Sequence, residues 1–136
     1  MTTEHPKPKI LIVDDDQFLL DMYSIKFTER NFEVATASDG EQALDKIQTG
    51  FLADIYLIDV LMPKLDGFQL IAALKDKKLI DGGAVIILSN LGQQEDVTKG
   101  LSLGIDGYIV KATATPSEVV NKVSDIVSNR RPKHHD

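Results

Sequence analysis

The sequence predicts an α/β fold, a doubly wound five-stranded parallel sheet with helices on both faces. Three observations lead there. Five short aliphatic runs recur along the chain, and segments with helical spacing of apolar residues separate them. Strands joined through helices run parallel, and right-handed crossovers put the helices on both faces. The length, 136 residues, suits a single domain, and a hydrophobic content of 43% can fill its core.

The elements follow in order. KILIV, residues 9–13, is an aliphatic run suited to a strand buried on both sides. Residues 17–30 form a helix, with Leu19 or Leu20, Tyr23 and Phe27 on one face. Asp16 stands where an N-cap is needed. FEVATA, 32–37, is the second strand. A capping box follows, either Ser38 with Glu41 or Asp39 with Gln42, opening a helix over 40–48 that Gly50 closes. DIYLID, 54–59, is the third strand and 62–67 a loop. Phe68, Ile71 and Leu74 mark the third helix. Gly82 and Gly83 break the chain before the fourth strand, 84–88. A helix over 93–103 comes next, its pattern weakened by Gly100. GYIV, 107–110, is the fifth strand. Thr115, Pro116 and Glu118 then make a capping box with proline at the first helical position, and Val119, Val123 and Ile126 line the last helix.

Residues 1–8 carry two prolines and no apolar pattern, and read as a flexible segment. Residues 9–129 form the domain. Residues 130–136 read as a flexible basic tail, in which the pair His134 and His135 is a solvated feature rather than a metal site. The net charge of −6 speaks against general nucleic-acid binding, which needs a basic face for the phosphates. Without cysteine there is no disulfide framework or thiolate metal site. The first residues lack the apolar core of a signal peptide, and no apolar run approaches bilayer length. A cytoplasmic location without membrane contact is the expectation.

In a doubly wound sheet the working site lies beyond the carboxyl ends of the strands. The first strand ends at Asp14, Asp15 and Asp16, the third at Asp59, the fourth at Ser89 and Asn90, the fifth at Lys111. Taken singly, each has an ordinary reading: a helix cap, a turn former, an exposed lysine. Taken together they bring carboxylates, a hydroxyl and an ammonium to one edge. Clustered carboxylates coexist by protonation or by binding a divalent cation. An all-oxygen set suits Mg²⁺, for which Mn²⁺ can substitute, rather than zinc. Mg²⁺ beside a cation and carboxylates points to phosphoryl chemistry, in which a carboxylate can itself be the nucleophile.

The residues at this edge resemble the receiver domain of two-component response regulators, of the stand-alone, chemotaxis-regulator kind. The resemblance covers about residues 9–128. It rests on ILIVDDD, LIDVLMPKLDG (57–67), VIILSN (85–90) and GYIVK (107–111). It implies flavodoxin-like strand order 2-1-3-4-5. It also implies that Asp59 is the phosphoacceptor, supplied by a histidine kinase or phosphotransfer protein. Asp14, Asp15, Asp59 and the backbone carbonyl of Leu61 would hold Mg²⁺. Ser89, Asn90 and Lys111 would bind the phosphoryl group, and Ser89 with Tyr108 would form the switch. The face of the fourth helix, fifth strand and fifth helix would meet a downstream protein target, and a phosphorylation-dependent dimer is compatible with it. The implied protein is a phosphorylation-switched binding module, an enzyme only toward its own phosphoryl group.

Two departures from the family pattern stand out. Ala112 replaces the usual proline after the lysine. A cis bond before a non-proline residue costs roughly 2.5–4 kcal/mol, so a trans Lys111–Ala112 peptide is expected. Asn90 stands where a smaller residue is commoner. Leu61 and Leu91 flank the same entrance and cannot orient an attacking water, which predicts a long-lived aspartyl-phosphate. Other readings of the edge remain. A haloacid-dehalogenase-type phosphatase also uses D-x-D, a hydroxyl and a lysine, but it needs a later acidic strand end and leaves Asp59 unexplained. A flavin-binding module would want hydroxyls and glycines after the first strand. A receiver-like scaffold that is never phosphorylated would not need the complete set.

Overall fold

Five strands pair in parallel in the order β2-β1-β3-β4-β5: β1 (Lys9–Val13), β2 (Glu33–Ala37), β3 (Ile55–Asp59), β4 (Ala84–Ser89) and β5 (Gly107–Val110). The computed structural model describes residues 7–60, 62, 65–79, 82–89 and 94–129, with the side chains of 94–97 excepted. Five helices connect and follow the strands: α1 (Gln17–Glu29), α2 (Gly40–Gln48), α3 (Gly67–Asp76), α4 (Gln94–Ser102) and α5 (Pro116–Ser128). This is the doubly wound order expected from the resemblance.

Successive strand side chains point to opposite faces, and the two halves of the core follow that alternation. Ile10 and Ile12, Ile55 and Leu57, Ile86 and Leu88 pack with Leu20, Tyr23 and Phe27 of α1 and Val119, Val120 and Val123 of α5. Leu11 and Val13, Tyr56 and Ile58, Val85 and Ile87 pack with Ala43 and Ile47 of α2 and with Leu70, Ile71 and Leu74 of α3. β3 and β4 are therefore buried along their whole length, and β1 after its first residue. The aliphatic run without polar alternation is the signature of such strands.

The helix starts are chemically explicit. Asp16 accepts from the Leu19 amide at 3.2 Å and caps α1. Of the two boxes offered for α2, Asp39 is the cap, accepting from the Gln42 amide at 2.8 Å. Ser38 instead donates its hydroxyl to Gln42 Oε1. Asp66 and Gln69 form a reciprocal box on α3, and Thr115 and Glu118 form the expected one on α5. Helix α1 departs from expectation on its outer side. Apart from the buried face, Phe18 and Ile25 stay exposed, so this helix is apolar around most of its circumference. The Lys111–Ala112 peptide is trans, as expected, and opens a short 3-10 turn over Lys111–Thr113. Among the described residues, no helix is long and apolar enough to cross a membrane.

Candidate functional site

The alternation that builds the core also aims the site. Ile10 and Ile12 of β1 face α1 and α5, and Asp14, one residue past the strand, keeps that parity. Ile55 and Leu57 lead in the same way to Asp59, and Ile109 leads to Lys111. Three neighbouring chain segments thus direct a carboxylate, a carboxylate and an ammonium into one corner.

There, Lys111 Nζ lies 2.8 Å from Asp14 Oδ2 and 3.2 Å from Asp59 Oδ2. It donates a hydrogen bond to Asp59. Its closer contact, to Asp14, is an ion pair with a buried carboxylate oxygen. The other oxygen, Oδ1, accepts from the Asp16 amide at 2.9 Å. Asp14 and Asp59 are 0% and 2% exposed, while Asp15 faces solvent. Among the described residues these three aspartates each offer an oxygen, all within 4.8 Å of one another.

The charges do not balance. Among the described residues, three carboxylates lie beside one ammonium, and Asp14 and Asp59 pair with it. Burial pushes the Asp14 carboxyl above its ordinary 3.8; Lys111 and the Asp16 amide pull it back in part, and Asp15 adds to the rise. Burial opposes the charge on Lys111, but Asp14 and Asp59 more than offset it, so its ammonium is held above the ordinary 10.5. Excess negative charge and an all-oxygen donor set together fit a hard divalent cation such as Mg²⁺.

Ser89 ends β4, 2% exposed, in register with Val110 of β5, the residue before Lys111. Tyr108 is half-buried on β5, its ring packed toward the α2 and α3 side and its hydroxyl buried without a hydrogen bond. Leu61, Asn90 and Leu91 lie outside the described residues. Tyr23 was not singled out as a site residue from the sequence, and Gly67 was noted only as part of LIDVLMPKLDG. Tyr23, read only as part of a helical face, sits close enough to the corner to feel it: its phenol is pushed up to about 12 by burial first and by Asp14 next. Gly67 lets α3 start against the end of β3. A Cβ there would lie 2.4 Å from the Asp59 carbonyl oxygen and 2.7 Å from Val60 Cα, both immovable backbone. The only sequence signal for Gly67 is the Asp-Gly step after the proline loop, and Tyr23 carries none beyond its helical spacing.

The family model of the response regulator receiver domain matches residues 10–124. The chain belongs to the response-regulator receiver domains. This receiver is 35% identical over 119 residues to the alkaline phosphatase synthesis transcriptional regulatory protein PhoP of Bacillus subtilis, a match covering 88% of the chain and 48% of PhoP. It is 29% identical to the response regulator SaeR of Staphylococcus aureus, over 93% of the chain and 53% of SaeR. The chain spans about half the length of these curated relatives. Among solved structures, the receiver domain of Francisella response regulator 1452 superposes with a TM-score of 0.79 at 33% identity, covering 92% of this chain and all of that one. The chemotaxis protein CheY4 of Vibrio cholerae superposes with a TM-score of 0.80 at 28% identity, over 88% and 98% of the two chains. The chain is a phosphoacceptor signalling domain of two-component systems. Receiver domains generally bind Mg²⁺ and interact with histidine kinases and downstream targets, and the cluster of Asp14, Asp15 and Asp59 fits that metal.

Proposed function

We propose that this receiver takes a phosphoryl group on Asp59 from a histidine kinase or phosphotransfer protein and uses it to alter a protein-binding face. One observation supports the assignment: Asp59, the residue at the family's phosphoacceptor position, accepts a hydrogen bond from Lys111 and lies with Asp14 and Asp15 in one cluster of metal-type oxygen donors. An Asp59 carboxylate oxygen attacks phosphorus as the bond to the donor histidine nitrogen breaks, and the imidazole leaves with that electron pair. Lys111 turns from the bare carboxylate to the transferred oxygens and balances their charge. Asp14, Asp15 and Asp59, with the Leu61 carbonyl by family position, would hold Mg²⁺, which when bound adds positive charge beside the phosphoryl oxygens.

Ser89, from the neighbouring strand end, would donate to a phosphoryl oxygen. Tyr108, whose buried hydroxyl has no partner, would change its packing as the segment after β4 shifts. The responsive surface is then α4, β5 and α5. Intact-mass measurement after treatment with acetyl phosphate and Mg²⁺ tests this. One phosphoryl adduct is expected on the wild type and none on Asp59→Ala. An adduct that survives the substitution, or steady turnover of a phosphate ester, would refute it.

A further inference from the structure

A cleft of about 260 Å³ opens between α3 and α4. Phe68, Gln69 and Ala72 of α3 and Lys99, Ser102 and Leu103, at the end of α4, line it. The volume falls below the roughly 300–1,000 Å³ of small-molecule sites. It suits one or two apolar side chains of a protein segment rather than a metabolite. Phe68, Ala72 and Leu103 supply an apolar floor.

Among the described residues that line it, the one charge is positive. Lys99 is exposed and holds its ammonium 4.8 Å from the centre of the Phe68 ring. No carboxylate is among the described lining residues. One turn further along α3, exposed Lys75, Lys77 and Lys78 outnumber Asp76, and Lys75 Nζ reaches across to the Gly104 carbonyl at 3.1 Å. In a chain of net charge −6, an apolar cleft edged by lysines is complementary to an acidic segment that carries a bulky apolar residue.

The walls of the cleft also have different attachments. α3 begins at Gly67, hard against the Asp59 backbone, whereas α4 follows the segment after Ser89. We propose that this α3–α4 cleft docks an acidic, apolar segment of a partner protein, with Lys99 as its charge-selecting residue. Resting on the Asp59 phosphoacceptor reading, the state of that residue then adjusts the cleft, because one wall is fixed to it and the other is not.

The test uses the full chain, ¹⁵N-labelled, titrated with the capped peptide Ac-Glu-Asp-Leu-Phe-Glu-Glu-NH2 and with its counterpart Ac-Lys-Lys-Leu-Phe-Lys-Lys-NH2. The acidic peptide should shift the amides of Ala72, Lys99, Ser102 and Leu103, and the basic one should not. Lys99→Glu should weaken acidic-peptide binding at least tenfold, and Lys99→Arg should retain it. Ala72→Trp, at an exposed position, should fill the cleft and abolish binding. Absence of shifts, shifts mapped to another face, or equal binding of the basic peptide would overturn the proposal. So would concentration-dependent shifts without peptide, which would assign the cleft to a second copy of the chain. The docking arm is read on unphosphorylated protein and on Asp59→Ala, so it stands or falls apart from the phosphoacceptor assignment. For the regulatory arm, a twofold or larger affinity change on acetyl phosphate treatment is expected in wild type alone. An unchanged affinity in protein carrying the adduct would overturn that arm.

Discussion

The two ends of the sheet use the same residue for opposite purposes. At the amino end, Asp54 Oδ2 accepts from the Lys9 amide at 2.8 Å, while the Asp54 amide donates to the Lys9 carbonyl at the same distance. Asp106 repeats the pattern with Val85, at 2.8 and 2.7 Å. Each carboxylate stands in for a ladder acceptor that the neighbouring strand lacks, and each is exposed to water. At the carboxyl end, Asp14 and Asp59 are buried, and Lys111 pairs with both, beside the Asp16 amide that donates to Asp14 Oδ1. Bonding an exposed carboxylate to the backbone of a neighbouring strand makes it structural. Burying two carboxylates around one ammonium favours a cation and a phosphoryl group there, at some expense in stability.

The sharpest way to break this contrast is to exchange alanine at each end. Asp15→Ala should abolish Mg²⁺-dependent formation of the phosphoryl adduct by intact mass, and Asp54→Ala should leave it whole. Calorimetry with and without EDTA sharpens the same point. Mg²⁺ at 100 times its Kd should stabilise wild type and Asp54→Ala by about 2.7 kcal/mol, and Asp15→Ala hardly at all. Equal responses at both ends would remove the division. Next in size is Asp106→Ala. It leaves the buried Val85 amide unpaired and should cost about 1–3 kcal/mol in urea unfolding with phosphorylation intact. Asp16→Ala removes only a cap and should cost about 1 kcal/mol, again without loss of the adduct. Loss of metal binding in that variant would show that the third aspartate belongs to the site.

The finest distinction lies in pH. A carboxyl whose folded-state pKa is raised binds its proton before the unfolded chain does, so its charge lowers stability above that pKa and stops doing so in acid. For Asp14 the window begins at the unfolded value of 3.8 and extends upward. In EDTA, Asp14→Asn should therefore be the more stable protein at neutral pH, by a margin that shrinks as pH falls toward about 4. A margin independent of pH would mean that Lys111 fully compensates the buried charge.

Most of the fold was legible in the sequence because its signals are local. The aliphatic runs, Asp16 before α1 and Thr115-Pro116-Glu118 before α5 all act within a few residues, and the observed boundaries agree within a residue or two. Ser38 and Asp39 were equivalent on paper; only the backbone path selects Asp39. The convergence of Asp14, Asp59 and Lys111 was readable because the strand-end rule needs no tertiary detail. What could not be read depends on register between strands. Asp54 and Asp106 look like ordinary strand-flanking residues until Lys9 and Val85 are set opposite them. Tyr23 looks like any core position until α1 is laid over the acidic corner, and the α3–α4 cleft exists only once two helices are packed.

The hydrogen bond from the Asp16 amide to Asp14 Oδ1 has a consequence for anyone moving this chemistry elsewhere. It divides one carboxylate between two duties: one oxygen shapes the corner by which the chain leaves the strand, and the other faces the reaction. The orientation of Asp14 is therefore dictated by a peptide two residues downstream, itself anchored by the start of α1. Grafting the aspartates and lysine alone onto another parallel sheet would copy the charges without the aim. A working transplant would need the strand-to-helix corner as a single piece.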